Sequence, residues 1–222
     1  KCTRWRVDFN GIGSPRYSPT VRLTPQIKAL LDEDILGQAR DFIQSMSPDM
    51  VQRAVRWAYL SETEGSYAIE REAPTASRAE AFARLLSRAH EQIVLTEDYL
   101  VELQNLVVQS VFDQAVQYRV QQNWLRRDTS VTYVPPAPAH LLSVMDGLLA
   151  LANQPDGGID PLVLGALVSF GFVFAHPFMD GNGRLSRFLF HQMACRNAHL
   201  PNGLVLPIST AMARHEARYL QA

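Results

Sequence analysis

An all-α fold is predicted, a bundle of about eight helices carrying one small β-hairpin. Three observations point to it. Apolar residues recur three and four apart along most of the 222 residues, the spacing of one helix face. Proline follows a Ser, Thr or Asp at the head of several such stretches, at Thr24-Pro25, Ser47-Pro48 and Asp160-Pro161. That order suits an N-cap and a first helical position. A single stretch, residues 118–136, shifts toward β-favouring residues around a turn.

Taken in order, residues 1 to about 23 contain Gly11, Gly13, Pro15 and Pro19 and read as an extended arm with turns. From Thr24, a stripe of Ile27, Leu30, Leu31, Ile35, Leu36, Ala39, Phe42 and Ile43 marks one helix. Ser47-Pro48-Asp49 starts the next, which runs toward the acid-rich Ser61-Glu-Thr-Glu-Gly-Ser-Tyr-Ala-Ile-Glu-Arg-Glu72. Residues 77–93 and 97–113 carry two further helical stripes, from Ala79 to Ile93 and from Tyr99 to Phe112. Val120, Trp124, Val131, Tyr133 and Val134 flank a turn-like Arg127-Asp-Thr-Ser and form the hairpin. After Pro138, Leu141 to Leu151 mark another helix, broken at Gly157-Gly158. Asp160-Pro161 opens the central helix, apolar as far as Ala175. Phe188, Leu189, Phe190, Met193 and Ala194 make the next stripe, Asn202-Gly203 a turn, and Ser209-Thr210 the cap of a terminal helix.

Composition narrows the function. With 47% hydrophobic and 19% charged residues the chain is globular, long enough for one large domain or two small ones. A net charge of −1 gives no general attraction to nucleic acid or to an anionic membrane, so neither is an expected partner. The longest apolar run, Pro161 to Ala175, is short of the ~20 residues that span a bilayer. Cys2 and Cys195 have neither metal-ligand spacing nor a disulfide pattern, which favours a reducing compartment and a cytoplasmic location. His191, His199 and His215 also lack ligand spacing and read as structural or exposed. The chain starts at Lys1 and stops inside a helical pattern, so it reads as a piece of a longer protein.

The chemistry concentrates in His176-Pro-Phe-Met-Asp-Gly-Asn-Gly-Arg-Leu-Ser-Arg187, between two helical runs. Gly181-Asn182-Gly183 can turn sharply and present successive N–H groups to an anion. A helix starting near Gly183 adds its positive dipole end at the same point. Arg184 and Arg187, three apart, share one helix face, and two guanidinium forks suit phosphate oxygens. Asp180 supplies a carboxylate of the kind that holds Mg²⁺ beside phosphates. His176 stands at the end of the preceding helix, and histidine is the side chain suited to take a proton near neutral pH.

This stretch resembles the signature of the Fic-domain family, His-x-Phe-x-Asp/Glu-Gly-Asn-Gly-Arg-x-x-Arg, at every defined position, and a looser likeness runs over residues 100 to 220. The resemblance implies a protein adenylyltransferase moving AMP from Mg-ATP to a Ser, Thr or Tyr hydroxyl of a target protein. By that likeness His176 deprotonates the target hydroxyl, Phe178 anchors the loop and Asp180 holds Mg²⁺. Gly181, Asn182 and Gly183 cradle the phosphates, Arg184 meets the β-phosphate and Arg187 the γ-phosphate. The hairpin matches the flap that aligns the target's chain, with Trp124 and Leu125 nearest to it. Residues 66–70, from Ser66 to Glu70, resemble the family's inhibitory helix, Ser/Thr-x-x-x-Glu-Gly/Asn, which implies that Glu70 pairs with Arg187 and turns the α-phosphate of the nucleotide away from in-line attack. Position 71 departs from that pattern, being Arg71. The implied organisation is an N-terminal arm with the inhibitory helix, residues 1–95, and a core of residues 96–222.

Other readings stay open at this stage. The same residues can remove AMP from a modified protein, use another phosphate-containing donor, or bind a nucleotide without catalysis. Self-modification and a homodimer burying the inhibitory helix are both compatible with the resemblance.

Overall fold

The computed structural model describes residues 12–108, 110–127, 129–154 and 158–219. The arm before residue 12, Gly157 of the expected helix break and Asp128 of the expected turn lie outside the described residues. The helices are α1 (Pro25–Asp32), α2 (Ile35–Gln44), α3 (Pro48–Ile69), α4 (Ala76–Ser87), α5 (Glu97–Val107), α6 (Pro138–Ala152), α7 (Pro161–Ala175), α8 (Asn182–Cys195), α9 (Ile208–Arg214) and α10 (Glu216–Tyr219). Strands β1 (Leu125–Arg127) and β2 (Ser130–Tyr133) pair antiparallel as the expected hairpin. The fold is the all-α bundle with a small hairpin that the apolar spacing predicts.

Two of the three N-cap readings form side-chain caps, whereas Ser47 stands at the start of α3 without a side-chain hydrogen bond. Thr24 accepts the Ile27 N–H at 3.2 Å with Pro25 in the first turn of α1. Asp160 Oδ1 accepts the N–H groups of Leu162 and Val163 at 2.8 and 3.2 Å and starts α7. Elsewhere the elements differ from expectation. The helix expected over 25–43 is two helices, because Asp34 adopts a left-handed φ of +44° and caps α2 through the Gly37 N–H. An Asx side chain tolerates that conformation better than most, and its carboxylate satisfies the new helix start. The helices expected to reach residues 93 and 113 stop at Ser87 and Val107, each followed by irregular chain with one short 3-10 turn. Ser209 and Thr210 lie inside α9 and do not cap it.

α7 is apolar on all sides and forms the middle of the core. Val168, Phe172 and Ala175 are fully buried in it, against Met145 of α6 and Leu185 and Phe188 of α8. Phe82, Leu85 and Leu86 of α4 and Leu100 and Leu103 of α5 extend the core to the other side. α3 crosses this body and is tied to α8 and α9 by one buried carboxylate. Glu62 is fully buried; its Oε1 receives His191 Nε2 at 2.9 Å and the Ser209 hydroxyl, and its Oε2 receives the Ser209 N–H at 2.9 Å. The Ser209 N–H and O–H are both directed at Glu62, so neither its amide nor its side chain serves the start of α9 as a cap.

Glu62→Ala leaves buried donors on His191 and Ser209 without an acceptor. A change of this kind costs about 3 kcal/mol or more. We expect a loss of that size in urea unfolding, with Glu62→Gln losing less because it keeps one acceptor oxygen.

Candidate active site

Helix α7 ends at His176, whose left-handed φ of +49° turns the chain away from the helix while its N–H still donates to Phe172 O. Two side chains hold the loop that follows. Asn182 accepts the Phe178 N–H at 3.0 Å and donates to the Phe178 carbonyl at 2.8 Å, closing the loop on itself. Phe178 is buried, its ring 5.6 Å from Tyr118 and 6.2 Å from Phe172. Gly181, at φ +83°, supplies the left-handed turn into α8. No side chain caps α8, so the N–H groups of its first turn are left for another partner. The side chain of Asn182 is engaged within the loop, and only its backbone is offered to a ligand.

A cavity of about 400 Å³ opens over this turn. It is lined by His176, Asp180, Gly181, Asn182, Gly183, Arg184 and Arg187, with Glu70 of α3 and Leu125 of the hairpin. His176 Nδ1 lies 3.2 Å from Val173 O, and a carbonyl only accepts, so Nδ1 carries the proton and Nε2 offers the lone pair. Burial pushes the His176 pKa below its ordinary 6.5, and the nearby Arg119 guanidinium adds to that, against opposing contributions from Val173 and Asp180. The imidazole is therefore neutral at pH 7. Asp180 is exposed; its Oδ1 accepts the Gly181 N–H at 2.7 Å and its other oxygen has no protein hydrogen bond among the described residues. Among those residues no three metal-ligating side chains cluster. A free carboxylate oxygen at the start of a helix is a group able to serve as a ligand to Mg²⁺.

Arg184 and Arg187 are almost wholly buried, their side chains 4% and 6% exposed. Glu70, at the C-cap of α3, bridges them. Its Oε2 accepts Arg184 Nε at 2.8 Å and lies 2.7 Å from Arg184 Nη2, while its Oε1 accepts Arg187 Nη2 at 2.7 Å. Ser66 completes the hold on Arg187, with Oγ 2.8 Å from Nε and its carbonyl 3.2 Å from Nη2. Glu70 was expected against Arg187; the structure places it on Arg184 as well. Burial disfavours charge on Arg184, but the pairing with Glu70 outweighs it and its pKa lies above the ordinary value. Gly183 makes room for this contact, because a Cβ there would lie 2.9 Å from Glu70 Oε1 and 3.2 Å from Arg187 Nη1.

Arg71 has a structural explanation. The Arg71 N–H donates to Ala68 O and the Glu72 N–H to Tyr67 O, each at 3.0 Å, with Arg71 at φ +56°. This is a Schellman closure, whose left-handed position normally holds Gly or Asn. The backbone geometry forms with arginine in place, at the strain of a Cβ in that region.

The hairpin divides the two residues expected to face a target. Leu125 lines the cavity; Trp124 is half-exposed with the Arg126 guanidinium 5.5 Å from its ring. Sequence reasoning missed Arg119. It is buried and donates to the carbonyls of His176 at 2.8 Å, Gln121 at 3.1 Å and Pro136 at 2.5 Å, so it joins the end of α7 to the base of the hairpin. Its signal in the sequence was weak, a single arginine with no acidic neighbour. Met212 of α9 also lines the cavity, and nothing in its local sequence marks it.

Comparison with known proteins converges on the same segment. A family profile described as the Fic/DOC family matches residues 94–194. The protein adenylyltransferase fic-1 of Caenorhabditis elegans is 27% identical over 128 residues, which cover 57% of this chain and 23% of the relative. The protein adenylyltransferase Fic of Nematostella vectensis is 25% identical over 230 residues, covering 86% of this chain and 51% of the relative. The chain thus spans about half or less of the length of these curated relatives. The crystal structure of a Fic family protein from Desulfovibrio desulfuricans G20 superposes with a TM-score of 0.69 at 22% identity, covering 92% of this chain and 67% of that one. At that identity the likeness is one of fold.

Replacing Arg71 by glycine removes the left-handed strain and leaves the Schellman hydrogen bonds in place. We expect Arg71→Gly to raise stability by about 1 kcal/mol in chemical denaturation, the scale of that penalty.

Proposed function

We propose that this chain, a Fic family protein, is a protein adenylyltransferase that moves AMP from Mg-ATP to a Ser, Thr or Tyr hydroxyl of a target protein and is held inactive by Glu70. The observation that carries the reading is the Glu70 bridge across Arg184 and Arg187, beside a neutral, correctly protonated His176 in the same cavity. On this reading α3 belongs to the N-terminal part, residues 1–95, and acts on the core of residues 96–222.

The chemistry follows from the side chains. His176 Nε2 takes the proton of the target hydroxyl as its oxygen forms a bond to the α-phosphorus. The bond from that phosphorus to the bridging oxygen of the β-phosphate breaks, and pyrophosphate leaves. Such displacement depends on in-line placement and on neutralised charge. The N–H groups at the start of α8 and the guanidinium groups of Arg184 and Arg187 supply that neutralisation. Asp180 would hold Mg²⁺, which when bound contributes charge to the phosphates. Leu125 on the hairpin would meet the target's chain, with Trp124 at the outer edge.

Glu70 opposes this by occupying both arginines. A nucleotide that cannot reach them sits displaced, and misplacement by about 1 Å can cost ~10²-fold in rate. The test is transfer of label from ATP carrying it on the α-phosphate, to the chain itself and to a lysate. We expect label on protein with Glu70→Gly, about 100-fold above the unchanged chain by the same argument, and its loss when His176→Ala is added. Equal labelling with and without Glu70 would sink the brake and keep the enzyme. No label from any variant that binds ATP would sink the transferase.

The acid limb of the reaction has a defined sign. The base must be neutral, and His176 titrates below 6.5. The Glu70→Gly rate should rise with pH below that value and be level by pH 7. A rate still climbing through pH 7 would mean that His176 is not the titrating base.

A further inference from the structure

Beyond Glu70, a second carboxylate lies against Arg184. Glu72 Oε2 is 3.3 Å from Arg184 Nη2, and the same oxygen is 2.6 Å from Arg78 Nη2 on α4. The carboxylate therefore lies between guanidinium groups from two helices. Those cations share one support. The Tyr67 ring has Arg184 4.9 Å from its centroid and Arg78 5.3 Å from it, and the Tyr67 hydroxyl donates to the Arg78 carbonyl at 3.2 Å. The backbone brings Glu72 to this place through the left-handed turn at Arg71, which returns the Glu72 N–H to Tyr67 O.

The two arginines are held unequally. Arg187 meets one carboxylate, that of Glu70, plus Ser66. Arg184 meets two, from Glu70 and Glu72. Glu72 is the more exposed of the two acids, 40% against 24%, so solvent and salt screen its share more strongly.

We propose that Glu72, held by Arg78, is a second lock on Arg184, so that an incoming polyphosphate must displace two carboxylates from that arginine. The proposal rests on the reading of Arg184 and Arg187 as phosphate-binding residues. Its consequence is that removing Glu70 alone leaves Arg184 partly occupied. The Glu70→Gly form then does not reach the full anion affinity of the site.

The experiment titrates pyrophosphate by calorimetry into four forms of the chain: unchanged, Glu72→Gln, Glu70→Gly, and the two combined. Glutamine is nearly isosteric at an exposed position, and thermal unfolding checks each form. Glu72→Asp in the Glu70→Gly background, which keeps the charge and shortens the reach, is the second variant. In that background Glu72→Gln should tighten binding about fivefold, the scale of a partly exposed ion pair. The gain should shrink at high salt. Glu72→Asp should fall between the two. Affinity within twofold of the parent at both salt concentrations, in a folded Glu72→Gln variant, overturns the lock. So does the absence of pyrophosphate binding to every form, which removes the arginine reading with it. Label transfer measured in parallel separates the two ideas. Fivefold tightening without any transfer keeps the lock and sinks the adenylyltransferase, whereas transfer with unchanged affinity does the reverse.

Discussion

Two guanidinium groups side by side, each almost wholly removed from water, are the constraint from which the site follows. Buried cations without a counter-charge cost several kcal/mol each. Arg184 and Arg187 are therefore stabilised by an anion placed between them. In this structure the anion is Glu70, with Oε2 on Arg184 and Oε1 on Arg187. On the proposed reading a nucleotide's phosphates are the alternative. Each anion satisfies the same two cations, so they compete for one place. On that reading, inhibition would need no large movement and no distant signal, only a carboxylate at the end of a helix that packs over the two arginines.

That competition depends on how firmly α3 is seated. Its C-terminal end carries Glu70, and eight residues earlier Glu62 is enclosed by His191 of α8 and Ser209 of α9. Both acids thus lie along one helix and both bind α8, one in the core and one at the cavity. The inner contact fixes the height of α3 on α8 and so fixes where Glu70 arrives. Gly183 then allows the last approach, since a side chain there would collide with Glu70 Oε1.

The loop between α7 and α8 is held by separate contacts. Asn182 closes it on the Phe178 backbone, Phe178 roots it in the core, and Arg119 binds the carbonyls at the end of α7 to the base of the hairpin. These contacts fix the position of the chain at His176. The same burial that holds the loop keeps the imidazole neutral, so placement and protonation state have one cause.

The sequence by itself determined the helical class, the hairpin, the starts of α1 and α7, and the segment, residues 176–187, on which the proposed chemistry rests. Those features are local: a period of 3.6 residues, an N-cap beside a proline, and a dozen residues whose functional groups are adjacent in the chain. Ser66 and Glu70 were singled out only through the family resemblance, since by themselves the acids of that stretch read as an ordinary helix end. The tertiary structure alone decided that Glu70 spans both arginines, that Glu72 and Arg78 join them, that Arg119 ties the loop to the hairpin, and that Leu125 rather than Trp124 faces the cavity. Each of these contacts pairs residues from different elements, and Glu70 and Arg184 are 114 positions apart. Local propensity carries no information about which elements pack together. That is settled by the burial of apolar faces over the whole chain, and the ion pairs form where that packing leaves charges with no other partner.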